Sequence, residues 1–175
     1  MAMSKELQQG FNDQIALEFS AAYAYLAMAA YFDARDLPGM AHWMVRQHEE
    51  EIEHAHKFFQ FMLDRGADVH LGPIAEPAQE FDSVIAVFAA ALANEEKVTA
   101  AIHSLYRAAE AEGDYAGLPL LSWFINEQLE EEASVSTILS RVRLAGDNPA
   151  ALFVVDAELG NRPAGGAGDA GGEAG

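Results

Sequence analysis

The sequence predicts an all-α protein: a four-helix bundle with a long crossover between its second and third helices and a short fifth helix near the C-terminal end. Three observations carry this. Four long segments show helical periodicity, strand signals are almost absent, and the links between the segments are short, long and short in turn. Only 6 prolines interrupt the 175 residues, and 51% hydrophobic residues with 10% aromatics is enough apolar material for one sizeable core.

The first segment runs from about Ser4 to Ala34. Ser4 is a candidate N-cap, and Leu7, Phe11, Ile15, Ala22, Tyr25, Met28 and Phe32 form one stripe. After the break at "RDLPGM" the second runs from near Gly39 to Gly66, with Met44, Ala55, Phe58, Phe61, Met62 and Arg65 at helical spacing. Gly66 to Asp82, with Pro73 and Pro77, is longer than a turn between adjacent antiparallel helices, so it has to cross the bundle. The third segment runs from about Asp82 to Ala111 on Val84, Phe88, Ala91, Val98, Ile102 and Leu105. "EGDYAG" then turns the chain.

The fourth continues to Leu144 with Leu121, Phe124, Val135, Ile138 and Val142 facing inward; "AGDNP" closes it, and "AALFVVDAEL" suits a small terminal helix. Residues 1–160 therefore read as one domain. The Gly- and Ala-rich remainder, 161–175, has too little apolar area to offset the entropy of ordering and is expected to be disordered. At 1.5 Å per residue each long helix spans roughly 42 to 45 Å. The link pattern gives two antiparallel hairpins joined by the crossover.

The formal charge of −18 disfavours nucleic acid as a partner and favours cations, of which metal ions are the simplest. With no cysteine, a metal would be held by oxygen and imidazole nitrogen, which points to iron, manganese, magnesium or calcium. The start "MAMSKELQQG" has no long apolar run after its positive residue, so neither a secretory signal nor a membrane anchor is expected and the protein is read as cytoplasmic.

The stretch "HEEEIEHAH" poses the functional question, since nothing about holding a fold together calls for it. Each apolar stripe is broken near its middle: by Glu18 on the first, Glu51 and His54 on the second, Glu95 on the third, and Gln128 and Glu131 on the fourth. Counted from its own helix start, each glutamate lies roughly thirteen to sixteen residues in, about half the helix length. In an antiparallel bundle the midpoints coincide, so four carboxylates and an imidazole meet at one level of the core.

Taken singly, Glu18 or Glu95 would be a boundary residue or an arginine's partner. Lys97 and Arg46 are out of phase with these positions, and the coincidence across four helices favours a pair of divalent metals as the counter-charge. One glutamate from each of two helices plus a Glu-x-x-His fits a carboxylate-rich di-iron scheme. The division expected is Glu18, Glu51 and His54 on one metal and Glu51, Glu95 and Glu131 on the other. Glu51 bridges, and Gln128 stands behind the metal or coordinates it weakly. Tyr25, seven residues after Glu18, is either a source of an electron or a hydrogen bond to oxygen, or a core tyrosine with a satisfied hydroxyl. The other five histidines, together with Glu49, Glu53 and Glu132, are expected at the surface or in packing roles, and Glu50 is ambiguous.

With these residues in view the chain resembles the non-haem bacterial ferritins. "ALEFSAAYAY", "EEEIEH", "NEEKVT" and "NEQLEEE", in that order and separation, look like the family's four ligand-bearing helices, and the resemblance covers Ser4 to about Gly160. It implies a ferritin-like bundle assembled as a hollow homo-oligomeric shell of twenty-four subunits. That shell oxidises Fe(II) with dioxygen or peroxide and stores the ferric mineral inside. It also implies a third, weaker iron position, which falls on Glu50, Glu127 and Glu130, sharing Glu131. No haem is expected, because the place of the haem-ligating methionine of bacterioferritins holds Ile52 and their second Glu-x-x-His is broken by Glu130.

Rubrerythrins need cysteines, and DNA-protecting mini-ferritins lack a fifth helix. The places matching the acidic three-fold channel of animal ferritins hold Leu118 and Leu121. Two rivals to iron storage are a soluble di-iron oxygenase or peroxidase acting on a small substrate, and a metal-independent cage. Phe58, Trp123 and Phe124 are expected to fill the space a substrate pocket would need.

Overall fold

The computed structural model describes residues 3–161. The tail expected to be disordered lies outside them, apart from residue 161. Five helices follow in order: α1 (Lys5–Asp33), α2 (Pro38–Asp64), α3 (Val84–Glu112), α4 (Leu118–Ala145) and α5 (Pro149–Leu159). No strand occurs among the described residues. α1 packs on α2 and α3 on α4 as hairpins, α1 also meets α3, and α5 rests on α2 and α4.

Local chemistry sets the helix ends. Ser4 caps α1 by accepting from the Leu7 N–H at 3.1 Å. α2 begins one residue before Gly39 because Pro38 suits the first turn, where its missing N–H and fixed φ cost nothing. α3 starts later than Asp82, since Ser83 is extended and its hydroxyl accepts from the Ala86 N–H at 3.1 Å. Gly113 ends α3 in the left-handed region at φ 69°. Just beyond, Asp114 receives a two-pronged contact from Arg65 at 2.6 and 3.2 Å, tying the end of α2 to the α3–α4 turn. Arg65 is thus a half-buried clasp on the edge of its stripe.

Residues 67–81 form no helix or strand and lie along α1. Asn12, buried in α1, donates to the Asp68 carbonyl at 3.1 Å and accepts from the His70 N–H at 2.7 Å, pinning this crossover through backbone groups that would otherwise need water. By length and composition α1 could cross a bilayer. In the bundle its apolar face is packed against α2 and α3 instead.

The core is two apolar clusters with a polar layer between them. One gathers Tyr25, Phe32, Met44, Phe88, Val135 and Val142. The other gathers Phe11, Ile15, Phe58, Ile102, Leu121 and Phe124. Leu121 is a fully buried member of the second cluster and Leu118 packs against it, so this part of α4 supplies core.

Candidate metal centre

The polar layer lies at the midpoints of the helices, where the periodicity puts it. Glu18, Glu51 and Glu95 are 0% exposed, His54 3% and Glu131 6%. Each has a buried apolar residue three or four positions away, Ile15 and Ala22 for Glu18, Ala55 for Glu51, Phe58 for His54, Ala91 and Val98 for Glu95 and Val135 for Glu131, so the helix turns the polar side chain inward with it.

Glu18, Glu51 and His54 bring ligand atoms within 4.8 Å of one another, and His54, Glu127 and Glu131 do the same. His54 stands between the two groups. Its Nδ1 is 3.6 Å from Glu51 Oε2 and its Nε2 is 3.8 Å from Glu127 Oε1. Glu95 belongs to neither group. The Tyr25 hydroxyl donates to its Oε1, and Gln128 Nε2 donates to its Oε2 at 3.1 Å. The Tyr25 hydroxyl is therefore satisfied within the layer. Glu50 and Glu127 are half-buried, and Glu130 is exposed. Glu132, expected in solvent, is half-buried instead, because the Thr99 hydroxyl on α3 donates to it at 2.5 Å.

Electrostatics follow from burial. Desolvation raises the Glu18 carboxyl above its usual range. Glu51 is raised well above it, by desolvation and then by the charge of Glu95. Glu95 is likewise raised by burial, and Glu131 is pushed up to about 8 by burial with help from Glu95 and Glu50. Burial pulls the His54 imidazole toward neutrality, but Glu127, Glu51 and Glu18 together carry it up to about 11. The Tyr25 hydroxyl keeps its proton, its pKa raised by burial and then by Glu95, Glu51 and Glu131.

Among the described residues no ion pair brings an arginine to this layer. Arg46 pairs with Glu49, Arg65 with Asp114 and Arg141 with Glu158, all outside the layer. Among the described residues, the buried side-chain atoms without a hydrogen-bond partner are Glu18 Oε2, both oxygens of Glu51, His54 Nδ1 and Gln128 Oε1. Buried polar groups normally find partners, so a group of orphaned oxygens with one ring nitrogen is a donor set that could hold a cation. The donors are hard oxygens and imidazole, a set suited to iron or manganese.

Aromatic packing closes the layer on one side. Phe58 and Phe124 stack at 4.0 Å, and Trp123 and Phe124 present edges to His54 at 5.8 and 5.4 Å. The side chains expected to fill the inner faces therefore meet directly beneath the imidazole.

Sequence reasoning did not single out Gln14, Gln47 or Thr99. Gln14 donates to Glu18 Oε1 and Gln47 to Glu131 Oε2, each at 2.8 Å. Gln14 lies four residues before Glu18 and Gln47 four before Glu51, so their phase on the inner stripe was the available signal.

The family model of the ferritin-like domain matches residues 8–145. A bacterial non-heme ferritin of Staphylococcus aureus is 37% identical over 160 residues, covering 91% of this chain and 96% of the relative. Its counterpart in Staphylococcus haemolyticus is 36% identical over the same shares. Among solved structures, an open pore ferritin from the archaeon Archaeoglobus fulgidus superposes with a TM-score of 0.91 at 41% identity, covering 93% of this chain and 99% of that one. A closed form of that ferritin, engineered by site-directed mutagenesis, gives 0.90 at 42% identity, covering 92% and 98%.

Proposed function

The chain belongs to the ferritin family and is an iron-storage protein; on that premise we propose that its buried carboxylate layer is a ferroxidase centre, which oxidises Fe(II) with dioxygen or peroxide before the iron is stored as a ferric mineral. The observation that carries this reading is the group of orphaned buried atoms centred on Glu51.

Fe(II) is the substrate. Glu18, Glu51 and His54 take one ion, and Glu51, Glu95 and Glu131 take the other. Of these four glutamates only Glu51 has both oxygens without a hydrogen-bond partner, which suits it to span the pair. Two Fe(II) ions release two electrons. With two protons these reduce dioxygen to hydrogen peroxide, or peroxide to two waters. Burial raises the pKa values of these carboxyls, so the ions compete with protons for them and loading releases protons.

Tyr25 anchors Glu95 and is placed to give an electron or a hydrogen bond to the oxidant. Glu127 and Glu50, with Glu130 outside them, form the third, weaker iron position, sharing Glu131. Ile52 and Glu130 leave no ligand set for haem.

Leu144 is 90% and Phe153 71% exposed in the single chain. Further copies of this chain cover them in a twenty-four-subunit shell in the cytoplasm, with no role for nucleic acid or membrane. The alternative, a small-substrate di-iron oxygenase or peroxidase, needs open space beside the layer, where the Phe58–Phe124 stack stands. Anaerobic Fe(II) loading followed by air, with the product sized, separates the two. A large particle holding hundreds of irons is expected, whereas two irons per chain in a small oligomer would overturn storage by this route.

A further inference from the structure

The glutamines of the polar layer are not scattered. Each of the three glutamates other than Glu51 receives one neutral amide donor from a different buried glutamine. Gln14 on α1 donates to Glu18 Oε1 at 2.8 Å, Gln47 on α2 to Glu131 Oε2 at 2.8 Å, and Gln128 on α4 to Glu95 Oε2 at 3.1 Å. Gln14 is 2% exposed, Gln47 0% and Gln128 1%. Glu51 receives none, and both its oxygens are orphaned.

An amide donor neutralises no charge, so this pattern does not relieve the crowding of carboxylates. It removes one lone-pair direction from a chosen oxygen of each outer glutamate and fixes the torsion of that side chain. On Glu18 the effect is explicit, since Oε1 is engaged by Gln14 and Oε2 is left open. Glu131 is the most exposed of the four glutamates, at 6%. It lies within reach of Glu127 and is pushed by the charge of Glu50, and Gln47 on α2 donates to its Oε2 from across the layer.

We propose that Gln14 and Gln47 are positioning residues that restrict Glu18 and Glu131 to ligation through a single oxygen, Gln47 in addition holding Glu131 at the paired metals and away from the Glu50–Glu127 edge, so that the absence of such a donor on Glu51 leaves it as the bridge. The inference rests on the metal-centre reading above and adds which neutral groups decide the binding mode of each carboxylate. Gln128 serves Glu95 in the same manner, but its own Oε1 is buried without a partner, so it is also a ligand candidate and makes a poor test.

Co(II), a redox-stable substitute for Fe(II), is titrated into the assembled metal-free shell, following both the binding isotherm and the visible d–d bands. The wild type is expected to take two Co(II) per chain at the layer. Gln47→Leu should weaken one of these roughly 10- to 100-fold, the range found when a partner of a metal ligand is lost. It should also weaken the bands of that site as Glu131 swings to two-oxygen ligation and the coordination number rises. Gln14→Leu should do the same to the other site. Gln47→Met and Gln14→Met keep the length of the side chain and remove the donor. They should behave as the Leu variants do, and they keep the test alive if the branched replacement prevents assembly.

Binding as tight as wild type in the assembled variants overturns the assignment. A loss of affinity spread equally over both sites with unaltered bands, which repacking alone would give, also overturns it. A wild-type shell that takes up no Co(II) at this layer overturns the metal-centre reading itself, and this inference with it.

Discussion

Glu51 and Asp156 are both buried carboxylates, 0% and 5% exposed, and they differ in what meets them. Asp156 lies in α5 against the start of α2. The N-cap position there, Leu37, offers no side-chain acceptor, and Asp156 Oδ1 supplies one by accepting from the Met40 N–H at 2.8 Å. A carboxylate at a helix N-terminus meets free N–H groups and the positive end of the dipole, so its burial is compensated by backbone. Gly39 permits the approach: a Cβ there would lie 1.8 Å from the Asp156 carbonyl oxygen.

Glu51 has no such partner. It is surrounded by Glu18, Glu95 and an imidazole, with both oxygens unmet. A buried acid seated on a helix end needs nothing more and serves the architecture. A buried acid among other acids has no such compensation from the protein, and on the proposed function a cation supplies it, which separates the site from the scaffold.

The sharpest way to break this contrast is to remove one member of each kind. Glu51→Ala should slow the initial oxidation of Fe(II), followed by absorbance of the ferric product, by on the order of 100-fold or more, since the lost group serves both ions. Assembly should persist, and the metal-free form should melt no lower than wild type, because an uncompensated buried acid has gone. Normal initial rates in this variant would refute the assignment of Glu51.

Gly39→Ala should act in the opposite sense. The methyl group collides with backbone of α5, so about 1–3 kcal/mol of stability should be lost in denaturant unfolding, with the Co(II) affinity of folded chains unchanged. Asp156→Ala removes only the cap and should lose about 0.5–2 kcal/mol, again without altering metal binding. A changed Co(II) affinity in either variant would show that the two regions are coupled, contrary to the comparison.

A smaller effect is expected from pH on the metal-free protein. Glu131 rises from 4.5 to about 8 on folding and His54 from 6.5 to about 11. Both therefore bind protons more tightly in the folded state. Their stabilisation is complete below pH 4.5 for Glu131 and below 6.5 for His54, and it is lost as pH rises through about 8 and about 11. The melting temperature of the metal-free shell should accordingly fall between pH 5.5 and 8.5, on the order of a few degrees, and saturating Co(II) should flatten the slope. A melting temperature rising with pH over that window would contradict the raised pKa values.

The midsection was legible because helix periodicity is a strong signal. Glu18, Glu51, His54, Glu95 and Glu131 each violate an apolar stripe at the same depth, and antiparallel packing converts equal depth into proximity. The amides were harder to see. Gln14 and Gln47 are neutral and tolerable near a stripe, so neither stands out until a carboxylate is found 2.8 Å away. The pairing of Gln47 with Glu131 spans 84 residues and that of Asp156 with Met40 spans 116, distances over which one sequence carries no local pattern. Glu127 sits one turn before Glu131, but its lean toward His54 depends on side-chain torsions that spacing does not fix.

The central claim is that the glutamates and histidine of the midsection are held together by divalent cations. It is tested most directly by anomalous diffraction from a crystal loaded anaerobically with Fe(II). Iron peaks are expected in the buried layer, one within coordinating distance of Glu18, Glu51 and His54 and a second sharing Glu51 with Glu131. An iron-soaked crystal with no anomalous peak in this layer, or with these side chains turned out to solvent, would contradict it.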